Sequence, residues 1–438
     1  MPLSVIIAAI TALLMIISVL VKPYLSFKKA KVGLYVLICA AGAACELIFG
    51  GLSLSDALAG ISAASSVNPL KILALFLSMT LISVYLGDAG FFQLVADKTF
   101  ALAKGKNLRL FIILYFVVSV LTVFTSNDIV ILTFTPIICI FCKKANISAL
   151  PFLIGEFVAA NTWSMALIVG NPTNVYLAQS ANISFTEYFK VMALPALAAG
   201  VAAFAILMLI FGKTLASKSV AAATDSKDVG FSRARVNVPT MCAALAALIG
   251  VIVALALSDV LGFEMWIITV VFAAALTLFN IVYGLIRGEG VLRAASGIKK
   301  TPWELVPFIL SMFIIVLSLE KSGATEKIAA ALVQGDKLDG VSFGFLAAGL
   351  SNLLNNIPTS VITEKIIAGK SLYATYGAVI GTNIGAFITP VGALAGIMWN
   401  KILSHYNIKL PFWKFFLYGI LVALPALFAA TFSLFLVL

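Results

Sequence analysis

Four short polar runs interrupt the apolar stretches of this 438-residue chain. The first reads Thr125-Ser126-Asn127-Asp128. The second joins Ala160-Asn161-Thr162 to Gly170-Asn171-Pro172-Thr173-Asn174. The third is Ser351-Asn352, then Asn355-Asn356-Ile357-Pro358-Thr359. The fourth is Gly381-Thr382-Asn383-Ile384-Gly385, then Thr389-Pro390-Val391-Gly392. Asn, Thr and Ser offer donors and acceptors without a fixed charge. Proline removes a backbone donor and glycine admits unusual dihedrals, so Gly170, Pro172, Pro358, Gly381, Gly385, Pro390 and Gly392 are expected to break helices. Unwound chain survives in hydrocarbon only against protein or a water-filled cavity. Opened carbonyls can ligate a cation, and exposed N–H groups can hold an anion or a hydroxyl. The chemistry implied is reversible binding. No catalytic triad, metal site or cofactor motif is present, so neither an enzyme nor a cofactor is expected beyond a coupling proton or sodium.

Asn161, Thr162, Asn171, Thr173, Asn174, Thr382, Asn383 and Thr389 are expected to contact a small solute. Ser126, Asn127, Asp128, Glu156, Asn355, Asn356 and Thr359 are expected to serve the coupling ion, with a sodium site at Ser126, Asn127 and Asn356. One such run by itself could be a structural kink. Intramembrane acids are costly and point to function. Asp128, inside a break, suits a cation or a proton, and equally an N-cap for the helix that follows. Glu156 precedes Asn161 and Asn171 and is the next proton-carrier candidate. Glu46 reads as a packed acid. Asp88, Glu320 and Glu364 lie nearer the span edges.

Composition sets the frame that must position these groups. The chain is 62% hydrophobic and 11% charged, against about 25% charged in soluble domains. Mean hydropathy is +1.12. An all-α polytopic membrane protein follows, with the bilayer as its surroundings. The net charge of +11 would suggest nucleic acid in a soluble protein. Here the basic residues fall between apolar spans and read as orientation signals, so no nucleic-acid partner is expected. No cleavable signal is evident, because Leu3 to Val21 is too long for an h-region. Cys39, Cys45 and Cys242 lie in apolar stretches. Cys139 and Cys142 form a C-x-x-C without a second pair, and the single histidine is His405. All five thiols read as packing residues, a soft-solute site at Cys139 and Cys142 being the alternative. Gly212-Lys213-Thr214 looks like a P-loop end, but Leu207 stands where glycine is required.

Apolar runs give spans at 3–21, 32–51, 69–86, 149–178, 187–212, 237–258, 264–286, 302–319, 372–397 and 412–436. Stretches 108–143 and 341–369 each carry a polar cluster near the middle. The arms of the first, about 15 residues or roughly 22 Å, fall short of a 30 Å core, so re-entrant hairpins are expected. With the N-terminus outside, 22 of the 29 basic residues face the cytoplasm and 7 face out. Both termini are then outside, in a bacterial or archaeal inner membrane. A cytoplasmic linker, 213–236, separates a first half, 1–212, from a second, 237–438.

The halves resemble each other. Pro69 to Gly90 and Pro302 to Gly323 share their prolines, Ser78-Met79 with Ser311-Met312, and their glycines, at an offset of 233 (302 minus 69). Each is followed by an amphipathic stretch, a hairpin and a broken span. Five full spans separate equivalent points, so the second half must lie upside down. Inverted repeats with broken helices mark secondary transporters, and they argue against a continuous passive pore.

At these same runs the chain resembles the arsenite/antimonite efflux permeases of the ion transporter superfamily, which also holds citrate-type and dicarboxylate:sodium transporters. The resemblance covers nearly the whole chain. Its strongest part is Asn355-Asn356-x-Pro358-Thr359, then Ile388-Thr389-Pro390-x-Gly392-x-Leu394. Asn127-Asp128, Leu132-Thr133 and Thr135-Pro136 carry it in the first half. It implies about ten spans, two opposed hairpins, a homodimer and elevator-like movement. A soluble ATPase partner stays open. The permeases carry an acid where this chain has Asn161, and one acid and one base within Thr382 to Phe387, where this chain has no charge. The run Gly170 to Asn174 is nearer to the citrate-type and melanosomal relatives.

Two functions are therefore expected. One is arsenite efflux by proton exchange, since a small hydroxylated solute suits a cavity of Asn, Thr and backbone groups. The other is sodium-coupled symport of a di- or tricarboxylate such as citrate. No arginine lies in the breaks to clamp a carboxylate, though helix N-termini could hold one.

Overall fold

The computed structural model describes residues 2–21, 24–27, 30–62, 68–217, 236–288, 290–291, 295–332 and 335–438. Apart from an antiparallel ribbon, Tyr24–Phe27 paired with Ala30–Gly33, the described chain is helices and their connections. The ribbon takes the first residues of the span expected at 32–51, whose helix is Leu34–Phe49. Among the described residues, six helices are long and apolar enough to cross a membrane: Pro69–Asp88, Asn107–Phe124, Phe185–Ala216, Val238–Ala256, Met265–Ile286 and Phe412–Leu436. Leu3–Ser18 and Leu34–Phe49 are shorter apolar helices. The fold is an all-α polytopic membrane protein.

Asparagine recurs as a helix start. Asn68 precedes Pro69, and its Oδ1 accepts from the N–H groups of Leu70 and Lys71 at 2.8 and 3.3 Å. Asn171 precedes Pro172 and accepts from Thr173 N. Asn237 caps Thr240 N ahead of Pro239. An Asx side chain satisfies an orphan donor, and proline at the first turn has none to lose.

The first hairpin is Asn107–Phe124 and Asn127–Lys144, with only Thr125 and Ser126 between the helices. Its arms hold 18 residues each, about 27 Å at 1.5 Å per residue. They are longer than expected, because helix continues to Lys144 at one end and restarts at once at the tip. The second hairpin is unequal: Asp336–Leu354 holds 19 residues and Asn356–Ile367 holds 12. Asn355 alone makes its turn, at φ 78° and ψ 153°, a region that residues with a Cβ rarely occupy.

Both broken spans exist. The first runs Leu150–Trp163, two 3₁₀ turns over Ser164–Ala166 and Ile168–Gly170, then Pro172–Ser180. The second is Leu372–Gly385, an irregular stretch, then Leu394–His405. Gly381 and Gly385 do not break their helix, which runs through Gly385. They set its packing. A Cβ on Gly377, Gly381 or Gly385 would strike Gly340, Gly344 or Ala348 of helix 336–354, so the two backbones touch through a small-xxx-small seam. Pro358 likewise sits in the first turn of helix 356–367, where proline is tolerated.

The order of long helix, short helix, hairpin, broken helix and long helix occurs twice, from Pro69 to Ser217 and from Leu305 to Ser433. The ion pairs Lys71–Glu264, Lys321–Asp56 and Lys365–Glu320, at 2.6, 2.8 and 3.3 Å, each join two groups that charge counting puts on the outer face. Lys300–Asp88 joins two inner ones. A hairpin counted as a single crossing would have separated Lys71 from Glu264. The linker expected at 213–236 is helix to Ser217. Residues 218–235 lie outside the described residues, with Lys218, Lys227, Arg233 and Arg235, as do Lys22, Lys28, Lys29 and Arg293.

Candidate binding site at the helix breaks

Each hairpin is stitched to the broken helix of its own half. In the first, Thr122 Oγ1 donates to Ala160 O at 3.1 Å, and Asn127 Nδ2 donates to Asn161 Oδ1 at 3.1 Å. In the second, Asn355 Nδ2 donates to Val391 O at 3.1 Å and Asn356 N to Gly392 O at 2.9 Å. Asn352 Nδ2 reaches Gly385 O, and Thr389 Oγ1 donates to Asn352 Oδ1 at 2.7 Å. Irregular backbone at membrane depth is thus satisfied by polar side chains of the hairpins, as the absence of lipid-phase hydrogen bonding demands.

At the breaks, one side chain joins polar groups of both halves. Asn383 Oδ1 accepts from Ser164 Oγ at 2.8 Å and from Asn171 Nδ2 at 3.1 Å. Asn383 Nδ2 donates to Asn174 Oδ1 at 2.6 Å. Asn174 Nδ2 in turn donates to Ser164 O and Leu167 O, the carbonyls freed by the 3₁₀ turns. Ser164 Oγ also lies 2.8 Å from Asn161 O. Ser164 has one hydroxyl proton and serves one of these acceptors at a time, so a run of close polar contacts, the network, extends from Asn127 through Asn161 and Ser164 to Asn383, Asn171 and Asn174. Gly170 is required beside it, because a Cβ there would strike Ser164 O. Asn161, Ser164, Asn174 and Asn383 are fully buried, and none is charged.

The expected solute residues divide. Asn161, Asn171, Asn174 and Asn383 form the network, and Thr173 Oγ1 braces Asn171 Oδ1 at 3.1 Å. Thr162 Oγ1 is buried without a partner. Thr382 donates to Val379 O of its own helix, and Thr389 belongs to the second hairpin seam. Of the expected ion residues, Ser126 Oγ, Asn127 Oδ1 and Thr359 Oγ1 are buried and unpartnered. Ser126, not Asp128, is the N-cap of the second arm. Asp128 is half-buried in that helix's first turn, where the helix dipole favours a carboxylate. Asn356 is tied to Gly392 in the second half, away from the bonds that gather Asn127 with Asn161. Ser164 and Asn352 complete the arrangement and were absent from the expected site residues, although Asn352 belongs to the third polar run and Ser164 lies two residues beyond Thr162.

Glu156 is fully buried and faces Thr135 of the first hairpin. Thr135 Oγ1 lies 2.6 Å from Ile131 O and 2.8 and 3.1 Å from the two Glu156 oxygens. A hydroxyl has one proton. With that proton on Ile131 O, the short contact to Glu156 closes when the carboxyl carries the proton and donates it. Trp399 Nε1, on the far half of the second broken helix, faces the same carboxyl without closing a hydrogen bond. Cys139 and Cys142 are free thiols buried in the surrounding apolar cluster. Among the described residues, no group of three or more His, Cys, Asp or Glu side chains could hold a metal ion.

Residues 2–378 match the citrate transporter family. The arsenical pump membrane protein of Escherichia coli is 29% identical over 368 residues, covering 81% of this chain and 83% of that protein. The protein of the same name in Yersinia enterocolitica is 28% identical over 369 residues, covering 81% and 83%. Among solved structures, the YdaH transporter of Alcanivorax borkumensis superposes with a TM-score of 0.56 at 14% identity, covering 99% of this chain and 96% of that one.

Proposed function

Since the chain belongs to the citrate transporter family and is a secondary membrane transporter, we propose that it exports arsenite or antimonite in exchange for protons. The observation that carries this reading is the state of the first hairpin tip and of the broken helix bonded to it. Ser126 Oγ, Asn127 Oδ1 and Thr162 Oγ1 are three buried oxygens without partners, beside an uncharged amide network. An amide oxygen can only accept, and a hydroxyl accepts as readily as it donates. A small neutral solute with several O–H groups supplies the missing donors. A carboxylate supplies only acceptors, and no basic side chain stands among the expected solute residues to neutralise it. The relatives named as arsenical pump membrane proteins support the same solute.

Exchange follows from the acids. Glu156 is fully buried against Thr135, where its carboxyl can take up and release a proton, and Asp128 stands at the hairpin tip. Loss of a proton on one side and gain on the other, alternating with occupation of the amide network by the solute, gives antiport without a bond being made.

A second reading has its own observation. The same oxygens of Ser126 and Asn127 make a partial shell for sodium, which would serve sodium-coupled citrate uptake. Proteoliposomes holding the purified chain decide between them. Arsenite accumulation under an imposed pH gradient, indifferent to sodium, is the expected result. Citrate uptake driven by sodium, with no response of arsenite to pH, would replace the first reading with the second.

A further inference from the structure

Helix 172–180 and helix 356–367 both start at the central breaks and run side by side toward the face that carries Gln179 and Lys365. Their residues are polar where an apolar protein has least reason to be. On helix 356–367, Asn356, Thr359, Ser360, Thr363 and Glu364 fall at spacings of 3, 4, 7 and 8 from the first, which is one face of a helix. On helix 172–180, Thr173, Tyr176 and Gln179 recur every third residue. Tyr176 Oη, Gln179 Oε1, Thr359 Oγ1, Thr363 Oγ1 and Glu364 Oε2 are all buried and all lack a hydrogen-bond partner. Tyr176 is 3% exposed, Thr363 0% and Glu364 7%. Tyr176 and Glu364 are close enough for the carboxylate's field to act on the phenol.

Buried polar groups with no protein partner are met by water or a ligand. Five such groups lie on two neighbouring helices, spread over roughly 13 Å at nine residues of 1.5 Å. Gln179 opens at its outer end into a cavity of about 250 Å³ shared with Lys71, Asp259 and Glu264. At the inner end Thr173 touches Asn171 of the network.

We propose that the seam between helices 172–180 and 356–367 holds a file of water that carries the coupling proton between the amide network and the outer face, with Glu364 as its exchange group. The inference rests on the proton-coupled reading above. Other charged groups bear on Glu364 from each packed element. Glu320 of helix 305–321 lies 3.3 Å from Lys365, and Lys365 lies 3.7 Å from Glu364 itself. Lys321 is committed to Asp56. Glu326 and Lys327 stand on helix 324–332, Lys337 and Asp339 on helix 336–354, and helix 372–385 brings only Tyr373 and Tyr376. Lys365, shared between Glu320 and Glu364, closes the outer end.

Two measurements on the full-length protein test this. The first is hydroxyl-radical footprinting, in which water next to a side chain is the oxidant's source. Tyr176 should be oxidised, while Tyr188, equally buried but with its hydroxyl donating to Met165 O at 2.9 Å, should be spared. Equal protection of the two tyrosines overturns the proposal. The second compares arsenite accumulation under a pH gradient with arsenite counterflow, which needs no net proton movement. Tyr176→Phe, Thr363→Val and Glu364→Gln should each slow the gradient-driven rate by about tenfold or more, the scale of a lost proton-transfer group, and leave counterflow as it is. Gradient-driven transport at the unmodified rate in Tyr176→Phe and Glu364→Gln refutes the path. If the unmodified protein shows no response to pH at all, the proton-coupled reading has failed and the path falls with it. A seam that is oxidised while the substitutions change nothing refutes the path alone.

Discussion

Asn383 and Asn171 are hydrogen-bonded at 3.1 Å across 212 positions of sequence, and that bond ties the break of one half to the broken helix of the other. Asn383 is the third residue from the end of helix 372–385, as Asn161 is of helix 150–163. The same position in both halves thus carries the same amide. Asn161 turns to its own hairpin and Asn383 crosses to the other half's break.

Asn383→Ala should therefore be worse than the loss of one side chain. Ser164, Asn171 and Asn174 would each lose a partner in a buried site, at roughly 1–3 kcal/mol for each orphaned group. We expect abolished transport together with a clear fall in the melting temperature of the detergent-solubilised protein. Asn383→Asp keeps the oxygen that Ser164 and Asn171 use but turns a second one on Asn174 Oδ1 and Val379 O. It should also be inactive. An active, normally stable Asn383→Ala variant would remove this residue from the site.

The hairpin tip separates function from folding more cleanly. Asn127 makes one side-chain bond, to Asn161, and its oxygen is unpartnered. Asn127→Ala should cost only about 1 kcal/mol of stability while abolishing transport, and membrane insertion should be normal. Asn356→Ala should behave alike, because Asn356 N–H still holds Gly392 O. Normal transport by both variants would mean that the tips do not bind solute or ion.

Much of this was legible in the sequence, and the reason is contrast. Asn127, Asn161, Asn171, Asn174 and Asn383 stand out because nothing else in a 62% hydrophobic chain explains amides in mid-span. The repeat was legible from Ser78-Met79 and Ser311-Met312, and the spans from their length. What was not legible depends on partners far apart in the chain. Gly381 reads as a breaker beside Thr382 and Asn383, and only the approach of Gly344 reveals it as a packing residue. Ser164 looks like an ordinary small residue until Asn383 is placed against it. Trp399 meets Glu156 only because the second half folds over the first. The arms of the first hairpin were underestimated because helix runs into the polar tip, stopping at Phe124 and restarting at Asn127, where a hydropathy boundary would place loop.

The glycine seam makes a prediction that concerns packing alone. Gly381→Ala places a methyl group against Gly344 O and the Ala347 Cβ. Overpacking of this kind costs about 1–3 kcal/mol, more where backbone must move. The variant should insert but melt lower, and transport should fall with the separation of helix 336–354 from helix 372–385. Gly349→Ala on helix 336–354, where nothing lies within 4 Å, should be harmless. Equal melting temperatures for the two variants would show that the close approach is dispensable.

Glu156 gives the sharpest test of coupling. With the Thr135 proton on Ile131 O, its contact with Thr135 closes when the carboxyl donates, and Gln can donate in the same place through its amide. Glu156→Gln should therefore fold, insert and bind solute, since it mimics the proton-loaded acid. It cannot release that proton. Arsenite counterflow should continue in this variant while accumulation under a pH gradient disappears, and an infrared band of a protonated buried carboxyl, present in the unmodified protein, should be lost. Asp128→Asn serves as the comparison. If Asp128 is the coupling acid instead, it will show the counterflow-only behaviour and Glu156→Gln will accumulate arsenite normally. If both variants keep full gradient-driven accumulation, neither acid carries the proton and the exchange mechanism built on them is wrong.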